Sequence, residues 1–73
     1  METKVYIVSD EEVFYVYGKE QLIDYAQFQL YCLDPEDTIE IANKCNVNKG
    51  WTEDIAIEVL QARGFDVETK MVR

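Results

Sequence analysis

Two short runs of β-branched and aromatic residues stand near the start of the chain. They are residues 4–8 (KVYIV) and 13–17 (VFYVY), and the polar segment 9–12 (SDEE) separates them. Side chains of these types pack well on a pleated surface, and clusters of polar residues mark turns. The pattern therefore predicts two antiparallel strands joined by a four-residue turn.

After Gly18 the apolar positions change to helical spacing. Gly18 ends the second strand, and residues 19–33 then place an apolar side chain at every third or fourth position. Residues with this spacing lie on one side of an α-helix. The apolar stripe of this first predicted helix consists of Leu22, Ala26, Leu30 and Leu33.

A second helix is predicted to begin after Asp34. Residues 34–37 (DPED) match a cap residue, a proline at the first helical position and two acids in the first turn, where the N–H groups lack partners. The helix is expected to reach about Cys45. A strand is the alternative, because polar and apolar residues alternate in the segment 38–41 (TIEI), but the helix-start chemistry favours the helix.

The rest of the chain predicts a third helix and a final strand. Residues 46–50 form a loop, Thr52 caps the helix, and Gly64 ends it. The apolar stripe of this helix consists of Ile55, Ala56, Val59 and Leu60. Residues 65–73 alternate between apolar and polar, which predicts a strand with one solvated face.

The predicted order of elements is β-β-α-α-α-β within one small domain that spans residues 1–73. This order is typical of an α+β fold, with a three-stranded, mainly antiparallel sheet covered on one face by two or three helices. Side chains alternate along strands, so each face has its own set. The inner face is predicted to carry Val5, Ile7, Phe14, Val16, Phe65, Val67 and Met71. The open face is predicted to carry Tyr6, Val13, Tyr15 and Tyr17 beside Lys4, Asp66, Glu68 and Lys70.

Composition and cysteine usage narrow the class of protein. Hydrophobic residues make up 48% of the 73 residues, which is too much for a disordered acidic tail. No apolar run reaches about 18 residues, and the N-terminus lacks the pattern of a secretory signal, so we expect a cytoplasmic protein without a membrane span. Cys32 and Cys45 form no CxxC motif, and we expect reduced, mostly buried thiols.

All of the net charge of −8 lies in residues 10–40, here called the acidic stretch. It holds nine acids and one base, Lys19, while the acids and bases of the flanking segments balance. The acids are Asp10, Glu11, Glu12, Glu20, Asp24, Asp34, Glu36, Asp37 and Glu40. Four of them stand at predicted helix starts, where the helix dipole favours negative charge. The near-absence of bases has no such explanation, and it predicts a surface that attracts a basic partner.

Aromatic residues provide candidate anchors beside these acids. On the first helix, one stripe offset from the leucines consists of Glu20, Asp24, Phe28 and Tyr31. Tyr15 and Tyr17 are candidates on the predicted open face of the sheet. In the alternative interpretation Phe28 and Tyr31 tuck under the second helix, and the tyrosines pair across the hairpin and half-bury each other.

The sequence argues against catalysis and against a metal or cofactor. It has no histidine, no GxSxG motif and no glycine-rich phosphate loop. Residues 34–45 lack the glycine and the final glutamate of an EF-hand loop, and two cysteines without histidine cannot complete a zinc site. No cluster of Lys and Arg favours direct binding of nucleic acid. We therefore expect no enzyme activity, no cofactor and no metal.

These observations predict a non-enzymatic acidic protein that occupies a basic surface of a partner protein. A nucleic-acid-binding surface is the favoured target, because spaced carboxylates imitate phosphates. In composition the chain is similar to the small inhibitor proteins that phages make against nucleic-acid enzymes of their hosts, a likeness that assigns no role to any residue. The alternative is a self-associating structural or regulatory module, such as a homodimer, that uses the tyrosine-rich sheet face or the open edge strand. Neither hypothesis involves a membrane.

Overall fold

The protein is described by a computed structural model that covers residues 3–72. Within these residues the chain forms three β-strands and three α-helices in the order β-β-α-α-α-β. The elements are β1 (Thr3–Asp10), β2 (Val13–Tyr17), α1 (Lys19–Tyr31), α2 (Pro35–Lys44), α3 (Glu53–Ala62) and β3 (Asp66–Val72), with a short 3₁₀ helix at Val47–Lys49. The predicted order of elements is therefore confirmed. Arg73, the predicted last residue of the final strand, lies outside the described residues.

β1 is the central strand of an antiparallel sheet with the strand order β2-β1-β3. α1 packs against α3. α1 contacts the strands β1 and β2, and α3 contacts β3. One sheet face and the apolar sides of the helices enclose the core, which confirms the predicted α+β fold. The core residues are Tyr6, Val8, Leu22, Ala26, Leu30, Cys45, Ala56, Val59 and Leu60.

Side-chain hydrogen bonds mark the starts of α1 and α3, and a proline marks the start of α2. At the start of α1 the N–H of Gly18 donates to the side-chain oxygen of Gln21 (3.1 Å). At the start of α3 the N–H of Ile55 donates to Oγ1 of Thr52 (3.2 Å). Pro35 is the first residue of α2, so this segment is a helix and not a strand. These residues suit the first helical turn, where backbone N–H groups have no partner within the helix.

The β1-β2 hairpin turns toward the helices the face that was predicted to be open. Tyr6 and Val8 of β1 are 1% and 0% exposed, and their cross-strand neighbours on β2 are Tyr17 and Tyr15. Tyr15 and Tyr17 therefore lie on the helix side, together with Val13, and the prediction that they face solvent on an uncovered sheet is wrong. The uncovered face carries Val5, Ile7, Phe14 and Val16, which were predicted to be inner residues.

A polar contact explains why the faces are exchanged. Both faces of the hairpin are apolar, so the alternation of side chains did not distinguish them. The Tyr6 hydroxyl donates a hydrogen bond to the carboxylate of Glu53 at the start of α3, so a large ring is buried while its polar tip is satisfied. On β3 the inner position of Val67 is confirmed, but Met71 is 55% exposed because it lies opposite Lys4 at the end of the sheet.

Two smaller predictions are also corrected. The hairpin turn has two residues instead of four, because β1 continues to Asp10 and pairs there with Val13. Glu11, in this turn, has a φ of 51°, a left-handed conformation that glycine adopts at lower cost. Both cysteines are free thiols, and Cys45 is buried, whereas Cys32 is exposed because it follows the last residue of α1, outside the core.

Candidate partner-binding surfaces

The outer side of α1 combines carboxylates with large exposed aromatic rings. Buried residues occupy the other side of this helix, which leaves the outer side in solvent. Phe28 is 62% exposed and Tyr31 is 64% exposed. With the two exposed acids of the same stripe they form a surface that we call the α1 ridge, which consists of Glu20, Asp24, Phe28 and Tyr31.

α2 does not cover the aromatic residues of the α1 ridge, so the alternative interpretation of Phe28 and Tyr31 is wrong. The Thr38 hydroxyl of α2 donates to the carbonyl oxygens of Leu30 (3.0 Å) and Leu33 (3.3 Å). α2 is thereby attached to the C-terminal end of α1. The stripe that the helical period identified is therefore an exposed surface.

α2 extends the acidic surface beyond the α1 ridge. Four acids at its start and along its first turns are exposed, namely Asp34, Glu36, Asp37 and Glu40. Ile39 lies among them and is 60% exposed, an apolar contact point that sequence reasoning missed because only the orientation of the helix reveals it. Asp37 and Glu40 also line a groove of about 270 Å³ together with Lys44 and Arg63. Bases therefore border the acidic surface on this side.

The acids of the hairpin turn lie at one end of the sheet. They are Asp10, Glu11 and Glu12, and all three are exposed. α1 starts at the opposite end of β2 and runs back toward the turn. In the middle of α1, the ring centroid of Tyr25 lies 6.2 Å from that of Tyr15 and 5.8 Å from that of Phe65, the residue directly before β3. The C-terminal half of α1 and the start of α2 therefore lie toward the turn, while Glu20 lies at the far end.

Tyr15 and Tyr17 belong to an aromatic cluster between the sheet and α1. Tyr17 stacks on Tyr25 with 5.1 Å between the ring centroids, and Tyr15 lies 6.0 Å from Tyr17. Burial of Tyr17, followed by the effect of the neighbouring tyrosines, raises the pKa of its hydroxyl. Tyr15 is 43% exposed. It therefore offers a partner more surface than Tyr17, which is half-buried.

Glu53 is the centre of a polar cluster that sequence reasoning missed. Besides the hydrogen bond from Tyr6, Glu53 has the Nζ atoms of Lys4 and Lys19 at 3.8 Å and 3.5 Å from its carboxylate. Burial, then the hydrogen bond to Glu53, raises the pKa of Tyr6 to about 12, and the same hydrogen bond lowers the pKa of Glu53. Lys19, the one base of the acidic stretch, thus pairs with an acid outside the stretch. No sequence period could reveal this contact, because it joins three separate elements.

The uncovered side of the sheet is a second apolar surface. This open sheet face consists of Val5, Ile7, Phe14 and Val16. Phe14 and Val16 are 70% and 65% exposed, and Val16 lies opposite Ile7, so the apolar side chains are contiguous. The neighbouring strand β3 places charged residues beside them, namely Asp66, Glu68 and Lys70. Contiguous exposed apolar side chains often mark a site of association.

A groove lies between the end of α2 and α3, and Cys45 and Glu58 contribute to its lining. Its volume is about 430 Å³. Burial, then the charge of Glu58, raises the pKa of the Cys45 thiol. The thiol therefore stays protonated near neutral pH, unlike the activated cysteines of enzymes.

Within residues 3–72 no three His, Cys, Asp or Glu side chains are grouped so that they could hold a metal ion. None of the helices in this range has the length and apolar character needed to cross a membrane. Comparison with protein-family models, with curated proteins and with solved structures found no match to this chain. The interpretation of the α1 ridge and the open sheet face as binding surfaces therefore depends on the side chains that they expose.

Proposed function

We propose that this chain is a non-enzymatic acidic binding protein that occupies a basic, nucleic-acid-binding surface of a partner protein in the cytoplasm. The observation that carries the proposal is the exposure of Phe28 and Tyr31 beside Glu20 and Asp24 on the α1 ridge. The buried side of α1 packs into the core through other residues and does not use these rings. Large aromatics that remain in solvent beside charged groups are typical of interface residues.

The α1 ridge has the chemistry that a basic groove recognises. Its carboxylates stand on a rigid helix, where they match the charge of spaced phosphates and pair with Lys or Arg side chains. The rings of Phe28 and Tyr31 suit apolar pockets and the flat faces of guanidinium groups. Attraction between the acidic surface and a basic partner also speeds their encounter.

The other acids of the acidic stretch add to the negative charge that the α1 ridge presents to a partner. The ion pairs formed within residues 3–72 are those of Glu53 with Lys4 and Lys19, and none uses an acid of the stretch. Asp24, Glu40 and the three turn acids have no role at a helix start. Within the described chain their carboxylates form no ion pair, and they can meet basic groups of a partner.

Affinity capture with charge-matched variants tests the proposal. The immobilised protein is incubated with lysate at low salt, and bound proteins are released with duplex DNA and identified by mass spectrometry. The variant Asp24→Lys/Asp37→Lys changes the net charge as much as Asp66→Lys/Glu68→Lys, but the first pair lies on the helices and the second on β3. We expect the first variant to lose the proteins that DNA displaces and the second to retain them.

Salt provides a second readout of the same experiment. Capture should weaken steeply as the salt concentration rises, because salt screens attraction between exposed charges. An equal loss of capture in both double variants would show that only net charge matters and would contradict a role for the α1 ridge. Capture that resists both salt and DNA would contradict the proposal as a whole.

A further inference from the structure

β2 leaves one side of its backbone without a partner. The hairpin closes with the pair Asp10 and Val13, and in a two-residue hairpin the closing pair exchanges both of its hydrogen bonds. The residues whose backbone groups face β1 are therefore Val13, Tyr15 and Tyr17. The N–H and C=O groups of Phe14 and Val16 point away from the sheet, and neither residue bonds to a turn or loop within the described chain.

The two edge strands of the sheet differ in how they are protected. Every residue of β2 is β-branched or aromatic, whereas β3 carries Asp66, Glu68 and Lys70. Charges on an edge strand discourage pairing with another chain, and an uncharged apolar edge invites it. The helices cover β2 only in part, since Val13 and Tyr15 on its helix side are 47% and 43% exposed. β2 is therefore open to another strand.

We propose that a second copy of this chain pairs antiparallel with β2, so that the two sheets join into one six-stranded sheet. The twofold axis passes at Tyr15, which places Phe14 of each copy opposite Val16 of the other. All outward N–H and C=O groups of β2 then form hydrogen bonds across the axis. An axis at Phe14 or at Val16 leaves some of these groups unpaired. The proposal does not depend on the proposed function.

The side chains and charges at this edge favour a second copy over a strand of another protein. Phe14 opposite Val16 is an aromatic and β-branched pair of the kind that stabilises adjacent strands. Beyond the ends of β2, this register places the turn acids Glu11 and Glu12 of one copy toward the start of α1 of the other, where Lys19 lies. The antiparallel direction also keeps the turn acids of the two copies at opposite ends of the interface. The edge is thus complementary to itself.

The arrangement has a consequence for the acidic surface. A twofold axis between antiparallel strands of one sheet is perpendicular to that sheet, so both helix layers lie on the same face. α1 contacts β2, and the two α1 helices therefore flank the axis. The dimer presents two α1 ridges on one surface.

Sedimentation equilibrium of the full chain, from micromolar to millimolar concentration, tests the dimer. Val16→Pro removes an outward N–H and keeps the bonds to β1, which is the position where an edge strand tolerates proline. Thr69→Pro is the matched control, because the pairing of Thr69 with Tyr6 directs its N–H away from the sheet at the other edge. We expect Val16→Pro to raise the dissociation constant of the dimer at least about 10-fold, because the twofold axis repeats the lost hydrogen bond in both copies. Thr69→Pro should leave the dissociation constant unchanged.

Hydrogen exchange of the unmodified chain provides a readout that needs no variant to fold. The amides of Phe14 and Val16 should gain protection as the protein concentration rises. The outward amides of the other edge, those of Val67 and Thr69, should show no such gain.

Several results would overturn the proposal. A monomer at every concentration would do so, because the edge would then remain free for a different partner. A dimer that is unaffected by Val16→Pro but lost in Phe14→Lys would show that the open sheet faces pack on each other instead. Concentration-dependent protection at Val67 and Thr69 would assign the contact to the β3 edge.

Discussion

The two faces of the β1-β2 hairpin carry similar side chains and have opposite surroundings. On the helix side, Tyr6 and Val8 lie at the centre of the core. On the other side, Phe14 and Val16 are the most exposed residues of β2. Hydrophobicity therefore does not determine which face is buried. The difference lies in what the helices offer, because Glu53 accepts a hydrogen bond from the Tyr6 hydroxyl on one side and nothing within the described chain covers the other.

The largest expected effect comes from placing the same charge on each face. Val8→Asp buries a carboxylate without a partner and should destabilise the fold by about 4 kcal/mol or more. Val16→Asp places it in solvent and should change the free energy of unfolding by less than about 1 kcal/mol at dilute concentration. Urea denaturation followed by circular dichroism measures both. Similar losses in the two variants would contradict the assignment of the faces.

The contact between Tyr6 and Glu53 should contribute a smaller amount. Tyr6→Phe keeps the ring in the core and removes the hydroxyl, and we expect a loss of about 1–2 kcal/mol. Tyr15→Phe is the matched control, because Tyr15 is partly exposed and should lose almost nothing. Chemical denaturation of both variants compares the hydroxyl groups directly.

The pH dependence of stability should report the same contact. The raised pKa of Tyr6 means that its contribution is complete below the ordinary tyrosine value of 10.0 and is lost as the pH rises to about 12. The lowered pKa of Glu53 means that its contribution is present above the ordinary glutamate value and is lost as the pH falls through the folded value. The free energy of unfolding of the Tyr6→Phe variant should therefore fall less at alkaline pH than that of the unmodified protein. Parallel stability curves would contradict this expectation.

The hairpin turn fixes which residues of β1 and β2 pair, and it contains a residue with a strained backbone conformation. Glu11 has positive φ, so Glu11→Gly should stabilise the protein by about 0.5–1 kcal/mol. Glu12→Gly removes the same charge at a position without positive φ and should be neutral or slightly destabilising. Thermal unfolding of the pair separates backbone strain from charge, and equal shifts would mean that only charge matters.

The smallest effects on stability should come from the two exposed phenylalanines. Phe14→Ala and Phe28→Ala should each change the free energy of unfolding of the monomer by less than about 0.5 kcal/mol, because both rings already lie in solvent. Their binding effects should differ. Phe28→Ala should weaken capture of a basic partner, and Phe14→Ala should weaken self-association. Capture assays and sedimentation on both variants would reveal whether the two surfaces act separately.

Local patterns were sufficient to predict the helices and strands. The spacing of Leu22, Ala26 and Leu30 identified the buried side of α1, and Pro35 with the acids of the first turn distinguished α2 from a strand. The stripe of the α1 ridge also followed from the helical period. These predictions succeeded because each depends on residues within a few positions of one another.

Predictions that depended on distant contacts fared less well. The predicted faces of the β1-β2 hairpin are the reverse of the observed ones, the predicted solvent position of Tyr17 is wrong because this ring stacks on Tyr25, and Cys32, predicted to be buried, is exposed. No sequence pattern distinguishes Glu53, although it accepts a hydrogen bond from Tyr6 and lies near Lys4 and Lys19. No local pattern contains the pairing of α3 with β1.

The sequence by itself therefore determined the type, order and approximate bounds of the elements, and the concentration of acids in one stretch. Tertiary structure decided which sheet face is buried, which aromatic residues remain in solvent and which acid receives Lys19. The physical reason is that helix and strand periods repeat over a few residues, whereas burial depends on the surfaces that meet. In the hairpin both faces are apolar, and a single hydroxyl, that of Tyr6, finds its partner only after α3 has packed against the sheet.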